Sequence, residues 1–187
     1  MDLSTFLNKT SILPPAACAA LDEAFRLEKL SKGHRLFLPD SYPQKVYFIE
    51  EGLMRTYYLK ESKDITHYFF KENSFTMPIE CIFYNRPTPF GLELLENSII
   101  RSIPYPELEK YIDLHPAIEK LMRLLLIDIL KSFSDMMNAF QFQSAQERYK
   151  GMLEKHPDIL LRAPLGHIAS YLGITPQTLS VIRAQKS

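Results

Sequence analysis

The stretch HPAIEKLMRLLLIDILKSFSDMMNAFQF, His115 to Phe142, constrains this chain more than any other. After Pro116 it runs for about 26 residues with neither glycine nor proline, enough for about seven helical turns. Pro116 suits the first turn, where its missing N–H would have had no partner. Ile118, Met122, Leu125, Ile129, Phe133, Met136 and Phe140 recur at spacings of three and four and form one apolar stripe. Leu121, Leu124, Ile127 and Met137 lie off that stripe. A helix apolar on more than one face needs cover on more than one side, so this one is expected to pack on its own chain and against a second copy. The plainer alternative is the central core helix of a monomer.

Before this helix the texture is different. From Gly33 to Tyr105 short runs rich in Val, Ile, Tyr, Phe and Thr alternate with turn residues: HRLFLP, KVYFIEEG, LMRTYYL, DITHYFF, PFGLELLE and SIIRSIPY. This spacing predicts an all-β barrel or roll, with one hairpin at Gly52 and another at Lys60–Asp64. Residues 3–30 read as a helical cap broken at Pro14-Pro15, with Leu27 and Leu30 at helical spacing, and PELEKYI as a short helix. After the long helix, Ser144 and Glu147 have the spacing of a capping box that restarts a helix to about Lys155.

The last segment, LGHIASYLGITPQTLSVIRAQ, has the pattern of a helix-turn-helix. Ala169 is small where two helices would cross, Gly173 tolerates the positive φ of the turn, and Ile168, Leu172, Ile174, Leu179 and Ile182 are the apolar set. Thr175 can cap the second helix and Pro176 suits its first position. On that helix Gln177, Thr178, Ser180 and Val181 would be exposed, followed by Arg183 and Lys186. Glutamine can pair with adenine in the major groove, while Thr and Val can meet a thymine methyl. Ser170, Tyr171, Thr175 and Lys186 are candidates for phosphate contacts.

Charge agrees with a polyanion at this end. The chain holds 22 basic and 22 acidic residues, of which residues 144–187 hold 6 and 3 and residues 1–143 the other 16 and 19. No carboxylate side chain follows Asp158. The N-terminal MDLSTFLNKTSILPP lacks a basic start and an apolar core, and the most apolar run is interrupted by Arg123 and Asp128. A cytoplasmic protein with no membrane association is therefore expected. Cys18 and Cys81 have no metal or redox spacing.

In order along the chain, a helical cap, a β-roll, a long helix and a terminal helix-turn-helix resemble the Crp/Fnr family of bacterial transcription regulators. The resemblance spans nearly the whole chain and is carried by VYFIEEGLMRTYYL, SIPYPELEKYIDLHPAI and, most specifically, PLGHIASYLGITPQTLSVIR; the chain looks particularly like the compact subgroup common in Bacteroidetes. It implies an α+β fold: a jelly-roll-like domain of the cyclic-nucleotide-binding type over residues 1–115, a dimerisation helix over 116–141 and a DNA-binding unit over 142–187. It also implies a homodimer bound to double-stranded DNA, with a small-molecule effector in the roll and no enzymatic activity. Relatives that bind cyclic AMP carry a G-E-[apolar]-G cassette followed by R-[ST]-A. A gapless alignment puts Met77, Pro78, Ile79 and Glu80 at the first motif and Thr88, Pro89 and Phe90 at the second, so the charged contacts are missing. Met77, Glu80, Arg86, Thr88 and Phe90 are the candidate effector pocket, with Arg86 and Glu80 as displaced substitutes or local structure, and cyclic AMP is not the expected ligand. Relatives also continue into a β-hairpin wing, and the given sequence ends at Ser187, so weaker DNA binding is expected. Val181 stands where many relatives read guanine with arginine.

Two other classes compete. A metal-dependent cupin would need clustered histidines, but His34, His67, His115, His156 and His167 fall in separate segments without ligand spacing; neither metal nor cofactor is expected, and His67, alone on a strand, reads as ordinary packing or surface in preference to a haem ligand. The remaining alternative is a sensing or protein-binding roll whose DNA binding is weak or lost.

Overall fold

The computed structural model describes residues 1–61 and 63–185. The chain forms α1 (Leu3–Lys9), α2 (Pro15–Ala24), β1 (Arg26–Leu30), β2 (Arg35–Phe37), β3 (Lys45–Glu51), β4 (Met54–Lys60), β5 (Lys63–Phe70), β6 (Phe75–Thr76), α3 (Ile79–Phe83), β7 (Gly91–Leu94) and β8 (Ser98–Pro104). Then follow α4 (Tyr105–Leu114), α5 (Pro116–Phe142), α6 (Ala145–Lys155), α7 (Ile159–Arg162), α8 (Leu165–Tyr171) and α9 (Pro176–Ala184). The strands make two antiparallel sheets, ordered β1-β8-β3-β6 and β2-β7-β4-β5. This is the expected α+β architecture, a β-roll followed by a long helix and C-terminal helices.

Strand periodicity explains how three cores form. Along β3, Tyr47 and Ile49 enter the core between the sheets with Met54, Leu92 and Ile100, while Val46 and Phe48 point the other way, into a core with Leu3, Leu7, Ile103, Ile118 and Leu121. A strand buried on both faces reads as a continuous apolar run, which is why VYFI does not alternate with polar residues. The N-terminus is tied down by Glu50, whose carboxylate accepts hydrogen bonds from the Leu3 amide at 3.1 Å and from Arg101 Nε at 2.7 Å. Asp2 caps α1 through the Thr5 amide at 2.7 Å. The third core joins Leu53, Phe69 and Leu95 of the roll to Tyr149, Met152, Ile168, Ala169, Leu179 and Ile182 of the terminal helices.

Two expectations are corrected. Leu27 and Leu30 belong to β1, which pairs with β8 from Arg26 opposite Ser102 to Leu30 opposite Ser98; sheet pairing overrides their helical spacing. Gly52, at φ +114°, does not close a hairpin: β3 and β4 lie in different sheets, and the glycine turns the chain between them. A Cβ there would lie 2.1 Å from Ser98 Oγ, so the approach itself demands glycine. The β4–β5 hairpin over Lys60–Asp64 is present, with Lys60 opposite Lys63.

In α5, Ile118 and Leu121 are buried and Met122, Leu125, Ile129 and Phe133 are half-buried, so this side lies toward the roll. Leu124, Ile127, Leu130 and Met137 are exposed in the single chain. The capping box is complete: the Glu147 amide donates to Ser144 Oγ, and the Ser144 amide donates to Glu147 Oε2 at 2.8 Å. No described helix is long and apolar enough to cross a membrane.

Candidate nucleic-acid interface

The turn between α8 and α9 is built from backbone chemistry. Leu172 ends α8 and Gly173 adopts φ +67°. The Gly173 amide then donates to the Ser170 carbonyl at 3.1 Å and the Ile174 amide to the Ala169 carbonyl at 3.0 Å. This Schellman pair satisfies carbonyls that the helix end would leave bare. Thr175 Oγ1 accepts from the Thr178 amide at 3.1 Å and Pro176 opens α9. Ala169 is fully buried at the crossing, and Ile168, Leu172, Leu179 and Ile182 are buried around it.

These contacts fix which side of α9 faces out. Gln177, Thr178, Ser180, Val181 and Arg183 are exposed, Val181 by 58%. Local bonds already engage the hydroxyls of Thr178, with Thr175 Oγ1, and of Ser180, which donates to the Pro176 carbonyl at 3.0 Å. Among the described residues no hydrogen bond or ion pair engages the side chains of Gln177 or Arg183. Lys186 lies outside the described residues.

Ser170 and Tyr171 depart from expectation. They face the roll, because α8 lies on β5. Ser170 Oγ accepts from the Thr66 amide at 3.1 Å, and the Tyr171 ring packs 5.1 Å from that of Phe69. Burial pushes the Tyr171 phenol up to about 12. In this arrangement neither side chain is free for a phosphate.

Beneath that contact is a charged cluster without an evident sequence signal. Arg55 on β4 is 2% exposed, yet its guanidinium meets Asp64 and Glu93, with Nη2 at 2.6 Å from each. It also donates to Thr66 Oγ1 at 3.1 Å and lies 4.7 Å from the Tyr57 ring centroid. Burial opposes the charge on Arg55, and the two carboxylates more than offset it. Burial likewise raises Asp64, but the Arg55 hydrogen bond and charge outweigh this and hold it below the usual range. His167 of α8 is held low by burial and by the Arg55 charge. A second node joins Arg162 of α7 to Glu72 at 2.5 Å and Glu96 at 2.6 Å in the roll, and to Asp158 at 2.9 Å.

The end of α5 meets the turn directly. A Cβ on Gly173 would approach Phe140 Cε1 to 2.9 Å. Arg148 lies 5.1 Å from the Phe140 ring centroid, donates to the Leu172 carbonyl at 3.1 Å and reaches back to the Gln143 carbonyl at 2.7 Å. The position of α5 is thereby linked to that of α8 and α9.

In the roll, Met77, Glu80, Thr88 and Phe90 line one cavity of about 180 Å³ with residues of α5. Arg86 does not; its side chain is exposed, and its amide donates to the Glu80 carbonyl at 3.0 Å. The displaced-cassette reading is thus corrected at Arg86, since a short loop after α3 turns that side chain to solvent. His67 stacks on Phe90 at 4.5 Å and on Phe133 of α5 at 5.8 Å. Among the described residues no three His, Cys, Asp or Glu side chains gather as metal ligands.

No family model matches the sequence, and no curated protein matches it. Solved structures do match. FixK2 from Bradyrhizobium japonicum superposes with a TM-score of 0.74 at 18% identity, over 86% of this chain and 83% of that one. A protein assigned to the Crp/Fnr family from Eubacterium rectale gives 0.74 at 14% identity, over 95% and 85%. A CooA variant from Carboxydothermus hydrogenoformans gives 0.67 at 22% identity, over 87% and 76%. The chain shares the fold of these proteins, one of which is described as a transcriptional regulator of the Crp/Fnr family.

Proposed function

We propose that this chain is a DNA-binding transcription regulator of the Crp/Fnr type, which dimerises through α5 and reads the major groove with α9. The observation that carries it is the α8–turn–α9 unit, where every cap and crossing residue presents the Gln177, Val181 and Arg183 side of α9 to solvent. Gln177 and Val181 are one turn apart on the helix, placed to read a base edge and a methyl group. Arg183 supplies positive charge, and so does Lys186. Residues 1–115 act as the sensing module, 116–141 as the dimer helix and 142–187 as the DNA-binding unit. The exposed Leu124, Ile127, Leu130 and Met137 supply the dimer face. Two copies place their α9 helices roughly 34 Å apart, one turn of DNA.

The test is fluorescence anisotropy on a duplex selected from a random library. Gln177→Ala should weaken the selected site by about 1–3 kcal/mol and relax one base position. Arg183→Ala should weaken all duplexes alike and lower the salt slope by about one contact. If Gln177→Ala leaves both affinity and sequence preference unchanged, α9 is not the reading helix.

A further inference from the structure

The terminal helices are held to the roll along the edge of a sheet. β5 is the outermost strand of β2-β7-β4-β5, so backbone groups on its outer side have no strand to pair with. The Thr66 amide finds its acceptor in α8 instead, at Ser170 Oγ, 3.1 Å away, and that hydroxyl donates in turn to the His167 carbonyl at 2.9 Å. Two charged nodes flank this contact, and each carries a half-buried histidine from the terminal helices. At the first, Arg55 donates to Thr66 Oγ1 at 3.1 Å, and the charges of Arg55 on β4, Asp64 on β5 and Glu93 on β7 act on His167. At the second, Arg162 bridges to Glu72 and Glu96, and Lys71 Nζ of the roll donates to the Lys155 carbonyl at 3.4 Å, next in sequence to His156. A protonated His156 would meet the like charges of Lys71, Lys155 and Arg162 and the opposite charge of Asp158. Among the described residues no hydrogen bond or ion pair engages either imidazole, so a proton on it would be half-buried without a dedicated acceptor.

We infer that the contact between the edge of β5 and the terminal helices is a pH-sensitive latch, closed while His156 and His167 are neutral and opened when they take up protons. Burial, chiefly, holds both histidines below the ordinary 6.5 in the closed form, with Arg55 adding to it at His167 and Lys71 at His156. Once the helices leave the roll, the imidazoles regain water and bind protons near the ordinary value. The closed form is therefore favoured in full above that pH and loses ground as the pH falls below it. Each tenfold loss of basicity on closing returns as a push of about tenfold toward the open form in acid. The roll contributes Leu53, Phe69 and Leu95 to the apolar part of the contact, so opening uncovers these and leaves its other two cores intact. Opening also frees Ser170 and Tyr171 from β5, where a DNA-binding unit would gain them for phosphate contacts and bind more tightly. Only this last consequence rests on the regulator reading; the latch itself does not.

Pulsed electron paramagnetic resonance on the full chain tests the latch, with spin labels at Leu59→Cys on β4 and Lys150→Cys on α6, both exposed. Cys18 and Cys81 are buried and stay unlabelled, and excess unlabelled chain confines the measured distance to one copy. The single narrow distance at pH 8 should give way at pH 5.5 to a longer, broader one, with its midpoint below the ordinary histidine value and the circular dichroism of the sheets unchanged. His156→Gln with His167→Gln should keep the short distance at pH 5.5, and each single change should lower the midpoint. A parent that keeps the short distance at pH 5.5 would overturn the inference. So would a double variant that opens at the same pH as the parent, or opening that coincides with loss of the sheet signal, which is unfolding. Anisotropy with a selected duplex on unlabelled protein should show affinity rising several-fold from pH 7.5 to pH 5.5 in the parent and not in the double variant. Opening without DNA binding at any pH sinks the regulator and leaves the latch; DNA binding without opening sinks the latch and leaves the regulator.

Discussion

Replacing Arg55 by Met keeps the length and apolar bulk of the side chain and removes its charge, leaving Glu93 and Asp64 facing each other without their cation. Breaking a buried ion pair on one side costs about 3–5 kcal/mol. Glu93 is 15% exposed and must bear most of that loss, while Asp64 at 38% can regain water, so the screened end of the range applies. The expected loss is about 3 kcal/mol, or about 6–12 °C in midpoint for a chain of this size. Urea unfolding followed by circular dichroism measures it. Adding Asp64→Asn and Glu93→Gln to Arg55→Met removes the stranded charges and should recover at least half of the loss. An Arg55→Met protein within about 1 kcal/mol of the parent, or a triple variant no more stable than the single one, would refute the cluster's role.

Gly173→Ala forces a Cβ into left-handed backbone and toward Phe140, and should cost at least about 1–2 kcal/mol in unfolding measurements; an unchanged midpoint would contradict the turn geometry. Ile127→Asp or Leu130→Asp, on the exposed side of α5, should weaken self-association more than about 100-fold in sedimentation, since in the proposed dimer each would remove an aliphatic group covered in both copies. Stability should also fall with acid in two stages. Burial, chiefly, holds His67, His156 and His167 below the ordinary 6.5, so the unfolded chain takes up their protons first and stability declines as pH drops below that value. Asp64 and Glu72 are held below the ordinary 3.8 and 4.5 by Arg55 and Arg162, against burial, so their contribution is present above those values and lost beneath them. Urea midpoints that do not change between pH 8 and pH 5.5 would contradict the histidine assignment.

The long helix, its capped successor and the terminal turn were legible because each rests on local chemistry: a period of 3.6, a Ser144–Glu147 box, a glycine at positive φ and a Thr-Pro start. The strands of the roll were legible as strands, but their partners were not. Gly52 signals a turn equally well whether the next strand pairs with the last or crosses to another sheet. Leu27 and Leu30 have helical spacing, and only β8 makes that segment a strand. Arg55 offers no local sign of burial, since its partners stand 9 and 38 residues away. Two apolar faces could be seen on the long helix, but which of them meets the roll depends on tertiary packing. The same holds for Ser170 and Tyr171, which the pattern placed on a DNA-binding unit and α8 turns toward β5.

The most direct test of the central claim is selection of duplexes from a random library by the full chain at near-physiological salt. A dimer with two α9 helices in successive major grooves should recover an inverted repeat with half-site centres about 10 base pairs apart, which loses its enrichment when the Leu130→Asp protein is used. No enriched motif, or a motif without dyad symmetry that the Leu130→Asp protein recovers equally well, would contradict the account.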